Sequence, residues 1–239
     1  MTSTGTCNLC GGAFGKAAMT RHLKACQEKQ ARPAEGGKSQ KTFWVTASGE
    51  WNPEYWLHLE MPASAKLEDL DAFLRDTWLE CCGHLSAFTI NDIEYEMDTG
   101  GVDAMWPDFF GRRQPPKSMA ARLYSVLKPG MKFDHVYDFG TSTELKLKVI
   151  AEQARSGQSR EISVLARNDP PDIRCAKCDK PATLVCSQCI YEGPQAWLCD
   201  RHAERHKCGE DMCLPVVNSP RVGMCGYSGD ADYSSDVLT

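Results

Sequence analysis

No apolar run in this sequence approaches the roughly 20 residues that cross a bilayer as a helix, and the opening MTSTGTCNLC lacks the basic and apolar regions of a secretory leader. A Gly-rich phosphate loop is missing, and so is the His-Arg-Asp of a protein kinase, so Asp138-Phe139-Gly140 does not make one. The expectation is a cytoplasmic chain without a membrane anchor. Histidine numbers six residues, whereas cysteine is plentiful at 13. In a reducing compartment that many thiols read as metal ligands rather than disulfides.

Their spacing supports this. Residues 175–208 read Cys175-x2-Cys178, Cys186-x2-Cys189, Cys199-x2-His202 and His206-x-Cys208. Zinc takes four N/S ligands in a tetrahedron, and an x2 spacing lets one tight turn present two of them to the same ion. Eight ligands imply two ions. Two pairings are open: alternate pairs sharing an ion, or the first four and the last four ligands forming the two sets. Cys213 is an alternative to Cys208 as the eighth ligand. Either set has four protein ligands and no open position, which points to structural rather than catalytic zinc.

A second pattern, Cys7-x2-Cys10-x11-His22-x3-Cys26, lies at the N-terminus. It resembles a small ββα zinc finger, with Phe14 and Met19 as its core and a helix over about residues 16–27. So small a unit lacks the core to fold alone, and the metal supplies the free energy. Three zinc ions per chain are expected. If His22 stands at the first zinc-binding His of a finger, the base-reading positions are Gly15, Ala18 and Arg21, of which two offer a base edge almost nothing. Lys16, Arg21 and Lys24 are the candidate phosphate contacts, which position a protein on nucleic acid without reading sequence.

Charge is uneven along the chain. Residues 1–41 carry seven Lys/Arg against two acids, residues 42–168 carry 13 against 19, and residues 169–239 carry seven against 11. A nucleic-acid contact is therefore expected through residues 1–41 if at all. Residues 28–41, rich in Gln, Lys, Ala, Pro and Gly, read as a flexible linker that leaves the finger loosely tethered.

Residues 42–168 read as an α+β domain, an antiparallel sheet with few helices. Strands are expected at 42–47 and 54–61, then an amphipathic helix on Leu67, Leu70, Phe73, Leu74 and Trp78. One strand over 85–95 and a short helix over 119–127 follow. Alternation through Met131, Phe133, His135, Tyr137 and Phe139, a turn at Gly140, and then Leu145, Leu147 and Val149 predict a hairpin with one buried face. Residues 160–167 are expected as a third strand of that meander. The full plan is a finger at 1–27, a linker at 28–41, the α+β domain at 42–168, a two-zinc module with a C-terminal loop at 169–228, and a disordered tail at 229–239.

Three stretches resemble the plasmid Orf-three-like domain family, also described as transposon passenger proteins. They are Leu67-Glu-Asp-Leu-Asp-Ala-Phe-Leu-Arg with Trp78 and His84-Leu85-Ser86-Ala87-Phe88, then Val136-Tyr137-Asp138-Phe139-Gly140, and the tail from Leu214 to Tyr227. The resemblance implies the fold of residues 42–227 and a link to mobile elements, but no settled activity. The chain departs from that pattern at Thr141-Ser142-Thr143 and at Leu57-His58. Residues 175–208 resemble a B-box-type cross-brace, which implies one ion on Cys175, Cys178, Cys199 and His202 and another on Cys186, Cys189, His206 and Cys208.

The leading functional expectation is a non-enzymatic zinc-binding adaptor or regulator that contacts protein or nucleic acid. One alternative is a hydrolase-like or thiol enzyme with a site near His84, Asp138 and Cys225, drawing on His135 or Arg221. Another is a small-ligand domain under the loop carrying Trp106. Cys81 and Cys82, beside Trp78 at the end of a helix, read as buried thiols rather than ligands.

Overall fold

The structure, a computed structural model, describes residues 3–30, 39–98, 115–156 and 161–229. Most of the expected linker, the loop carrying Trp106 and the tail beyond Gly229 lie outside the described residues. The chain divides into two units. Unit 1 comprises residues up to Phe73 together with Leu85–Asn168, and unit 2 comprises Leu74–His84 together with the residues from Asp169 onward.

Unit 1 is built on a ten-stranded sheet. Its strands are β1 (Thr4–Cys7), β2 (Ala13–Gly15), β3 (Ser39–Gly49), β4 (Trp56–Pro62), β5 (Ser86–Ile90), β6 (Ile93–Glu96), β7 (Lys117–Ser118), β8 (Lys132–Tyr137), β9 (Thr143–Ser156) and β10 (Ser163–Asn168). They lie in the order β2-β1-β10-β4-β3-β9-β8-β5-β6-β7. Every pairing is antiparallel except β6 with β7. The α+β class and the β8–β9 hairpin match the expectation.

Three details differ. Residues 85–95 form two strands, because Asn91 and Asp92 take positive φ values of 50° and 62° and make a two-residue turn. Asn and Asp tolerate that geometry better than other side chains. Strand β10 does not extend the β8–β9 meander. Both edges of β9 are occupied, by β3 and β8, and β10 pairs with β4 and β1 instead. The expected amphipathic helix is α2 (Leu67–Leu74), continued by a π-helical turn at Arg75–Leu79.

Strands β3 and β4 are buried on both faces, so neither shows a clean inside–outside alternation. One face carries Phe43, Val45, Leu57 and Leu59, all buried. The other presents Trp44, Trp56 and His58, and it is covered by the N-terminal ββα unit. Helix α1 (Lys16–Gln30) places Met19, Leu23 and Cys26 in a cluster with Cys7, Trp44, Trp56, Leu165 and Ala166. Strand β1 hydrogen-bonds to β10 in the same sheet. The N-terminal ββα is thus an edge of the sheet rather than a loosely tethered head, and β3 already begins at Ser39 inside the expected linker. Gly5 shows how closely the strand approaches: a Cβ there would lie 2.3 Å from the Arg167 carbonyl oxygen and 2.5 Å from the Trp56 ring.

Two buried histidines fix this packing. The Asp71 carboxylate on α2 meets His135 Nε2 on β8 at 2.7 Å. On the other face, Trp44 Nε1 donates to His58 Nδ1 at 3.1 Å. Burial, and then the Lys16 ammonium, push the His58 imidazole down to about 4 from 6.5. The unfolded chain therefore binds the proton more readily, and the contribution of neutral His58 is complete above pH 6.5 and is lost as pH falls toward 4. It amounts to about 3 kcal/mol from a depression of this size. Urea unfolding at saturating zinc should lose stability over that window, and His58→Gln should remove this part of the slope. An unchanged slope in the variant would contradict the assignment.

Unit 2 has a three-stranded sheet in the order β12-β11-β13, formed by β11 (Leu184–Cys186), β12 (Trp197–Leu198) and β13 (Cys213–Pro215). A one-turn helix, α3 (Asp200–Ala203), follows β12. Residues 74–84 belong to this unit although the flanking chain belongs to unit 1. Within unit 2, Ser219 Oγ donates to the Trp78 carbonyl at 2.6 Å, which ties the C-terminal loop to the π-helical turn.

Candidate metal centres

Among the described residues, four groups of four Cys/His side chains bring their ligand atoms within 4.8 Å of one another, and each could hold a metal ion. With Zn–S near 2.3 Å and Zn–N near 2.0 Å, a tetrahedral site has S–S edges of roughly 3.8 Å and S–N edges of roughly 3.5 Å. The side-chain separations fall around those values.

In the N-terminal group, Cys7 and Cys10 sit on the turn between β1 and β2. The backbone N–H groups of Cys10 and Gly11 fold back onto the Cys7 carbonyl at 3.3 and 2.7 Å. Helix α1 brings up His22 and Cys26, with His22 Nε2 3.3 Å from Cys10 Sγ. The Phe14 ring stacks on His22 at 3.9 Å between centroids and steadies the imidazole.

The C-terminal ligands assemble by alternate pairs. Cys175 and Cys178 meet Cys199 and His202, while Cys186 and Cys189 meet His206 and Cys208. His202 Nδ1 lies 3.3 Å from both Cys175 and Cys199, and Cys178 lies 3.8 Å from Cys199. In the other set, Cys189 is 3.4 Å from His206 Nε2 and 3.6 Å from Cys208. The sequential pairing is not formed. Cys213 stays outside the set and points at the Gly209 carbonyl oxygen at 3.8 Å. The cause is local: β11 separates the first two pairs, and β12 returns antiparallel to deliver Cys199 beside Cys175.

Acidities follow from the crowding. Burial opposes ionisation of Cys175, but backbone hydrogen bonds from Lys177 and Cys199 and the His202 contact bring it down to about 6. Burial and then its neighbours Cys208 and Cys186 push Cys189 up to about 12. Burial and the Cys10 hydrogen bond likewise raise Cys26 to about 11. Thiols packed this closely resist ionising together, and a divalent cation removes that resistance.

The fourth group contains Cys81, Cys82, His84 and Cys225. It corrects the reading of Cys81 and Cys82 as buried thiols: Cys81 is half-buried and Cys82 exposed. The signal in the sequence was Cys81-Cys82-x-His84, too short to complete a site, with its last ligand 141 positions away from His84.

The candidate enzyme residues divide. His84 and Cys225 are 3.2 Å apart, but within this thiol cluster. His135 is held by Asp71. Asp138, at φ 65°, spends Oδ1 on the backbone N–H groups of Gly140 and Thr141 and so caps the turn into β9. The basic residues of α1 divide as well. Lys16 Nζ donates to the Pro53 carbonyl at 2.8 Å, and partial burial lowers its pKa, opposed by the Glu54 carboxylate. Arg21 and Lys24 are exposed.

Fold and sites together define an antiparallel α+β sheet protein bearing four Cys/His clusters. Comparison with protein families finds no match, and comparison with curated proteins finds none either. Among solved structures, the chain is similar to a protein of unknown function, MM3350 from Methanosarcina mazei Go1, at 16% identity. That similarity covers 54% of this chain and 70% of the other, with a TM-score of 0.44. Among the described residues, no helix is long and apolar enough to cross a membrane.

Proposed function

We propose that this protein is a non-enzymatic zinc-binding adaptor, with zinc in the N-terminal group and in both cross-braced groups. The observation that supports this most directly is the ligand count. Each group offers four protein ligands, which fills a zinc tetrahedron and leaves no place for a reacting water. Zinc in such sites fixes backbone shape, and the shaped surface is what a partner reads. The resemblance to Orf-three-like and B-box-type sequences adds a setting among mobile elements and an interaction role to this reading.

Cobalt substitution tests it. The expected result is a four-coordinate thiolate–cobalt spectrum that does not change on addition of cyanide or azide. A spectrum that shifts with either anion reveals an open coordination position and overturns the structural assignment.

A second reading, contact with a phosphate backbone, rests on Arg21 and Lys24, which α1 exposes. Arg21→Glu/Lys24→Glu leaves the buried face of α1 untouched. If the reading holds, the slope of log affinity against log salt falls by roughly two in the double variant, about one per lost phosphate contact. An unchanged slope removes nucleic acid and leaves protein as the partner.

A further inference from the structure

We propose that Cys81, Cys82, His84 and Cys225 form a fourth zinc centre, which closes the C-terminal loop onto the segment 74–84 within unit 2. This goes beyond the adaptor reading, which stands with or without it.

The geometry is that of the other three groups. Cys82 Sγ lies 3.0 Å from His84 Nε2, 3.5 Å from Cys81 Sγ and 4.0 Å from Cys225 Sγ. His84 Nε2 lies 3.2 Å from Cys225 Sγ. These values scatter about the edges of a tetrahedron around one zinc ion, roughly 3.8 Å between sulfurs and 3.5 Å from sulfur to nitrogen. Three thiols and an imidazole form a soft donor set that suits zinc over magnesium or calcium.

Charge supplies an independent argument. Three thiolates and a neutral imidazole on Zn²⁺ leave a net charge of minus one. Arg221 has 0% of its surface exposed, and its Nη2 approaches Cys81 Sγ at 3.4 Å. A zinc–thiolate cluster there would give this buried guanidinium a negative neighbour. Metal ligands are commonly held by hydrogen bonds of this kind from a surrounding shell.

The loop is shaped to deliver both residues. Ser219 Oγ donates to the Trp78 carbonyl and accepts from the Arg221 N–H at 2.9 Å, which sets Arg221 beside the π-helical turn. Gly223, at φ 79°, then passes so close to Ile190 that a Cβ would fall 2.5 Å from its Cδ1. Cys225 itself takes φ 45°. A non-glycine residue in that region is unusual and needs a reason. At Cys225 that conformation turns Sγ toward His84.

Exposure makes the test decisive. Cys82 and Cys225 are both exposed, so once no ion holds them iodoacetamide at alkaline pH, where the thiolate forms, reaches both sulfurs. Iodoacetamide labelling of the zinc-loaded chain, read peptide by peptide, is expected to leave both unmodified until a chelator is added. Cys82→Ser/Cys225→Ser should lower the zinc content by one ion per chain, and Arg221→Met should weaken retention of that ion by about 10–100-fold. Rapid labelling of Cys82 and Cys225 while the cysteines of the other groups stay protected would overturn the fourth centre alone. Labelling of all groups alike would overturn the adaptor reading as well.

Discussion

Chelation at neutral pH is expected to unfold residues 169–229 and to leave most of the sheet of unit 1 standing. The reason lies in what each part can bury. The sheet of unit 2 has strands of only three, two and three residues, and a domain so poor in core needs a metal to hold it. Binding to a structural site contributes roughly 10–16 kcal/mol in finger-sized units, against a typical net stability of roughly 5–15 kcal/mol. Removal of such ions would thus take away a free energy comparable to that whole margin. Unit 1 instead buries Phe43, Val45, Leu57, Leu59, Leu147 and Val149 among hydrogen-bonded strands that need no ion. Hydrogen exchange before and after chelation should show protection lost in Leu184–Cys186 and Asp200–Ala203 and kept in β3, β4 and β9. Protection of β11 that survives complete metal removal would show that unit 2 folds on its own core.

Replacing Trp56 with Ala has the second large effect, at about 3–5 kcal/mol for loss of a buried tryptophan. The indole has 1% of its surface exposed and lies under Gly5. It packs with Cys7, Met19 and Leu23 from the ββα unit and with Trp44 from the sheet, and its Nε1 donates to Ser3 Oγ at 2.7 Å. The damage should therefore reach both halves of that contact. Exchange should accelerate at Thr4–Cys7 along with a fall in the unfolding free energy of unit 1. Trp56→Phe keeps most of the ring and loses chiefly the Ser3 hydrogen bond, for about 1 kcal/mol. If Trp56→Ala costs no more than Trp56→Phe, the ββα unit is not packed on this face.

Local patterns in the sequence carried much of this structure, and long-range ones did not. The β8–β9 hairpin was legible because Met131, Phe133, His135 and Tyr137 recur at every second position, with Lys132, Asp134 and Asp138 among the residues between them, and Gly140 follows. The four ligands of the N-terminal group lie within one short ββα stretch, so spacing alone was enough to collect them. Strand β10 was misplaced because its sequence gives no sign that β3 and β8 already occupy both edges of β9. The integration of the N-terminus was hidden for a related reason. A zinc-finger pattern reads as a unit complete in itself, whereas Trp44, Trp56 and His58 need a cover, and only the folded sheet shows that α1 provides it. The fourth group was the hardest to see. Two adjacent cysteines after a helix look like packing, and Cys225 lies 143 positions from Cys82. No spacing rule joins residues that far apart; only the return of the C-terminal loop to the π-helical turn does so.

Native mass spectrometry of the protein, purified without chelator and with its zinc content counted, tests the metal centres most directly. Four zinc ions per chain is the predicted result. A chain that carries no zinc, with its cysteines free to alkylate while hydrogen exchange shows both units folded, would contradict the account at its centre.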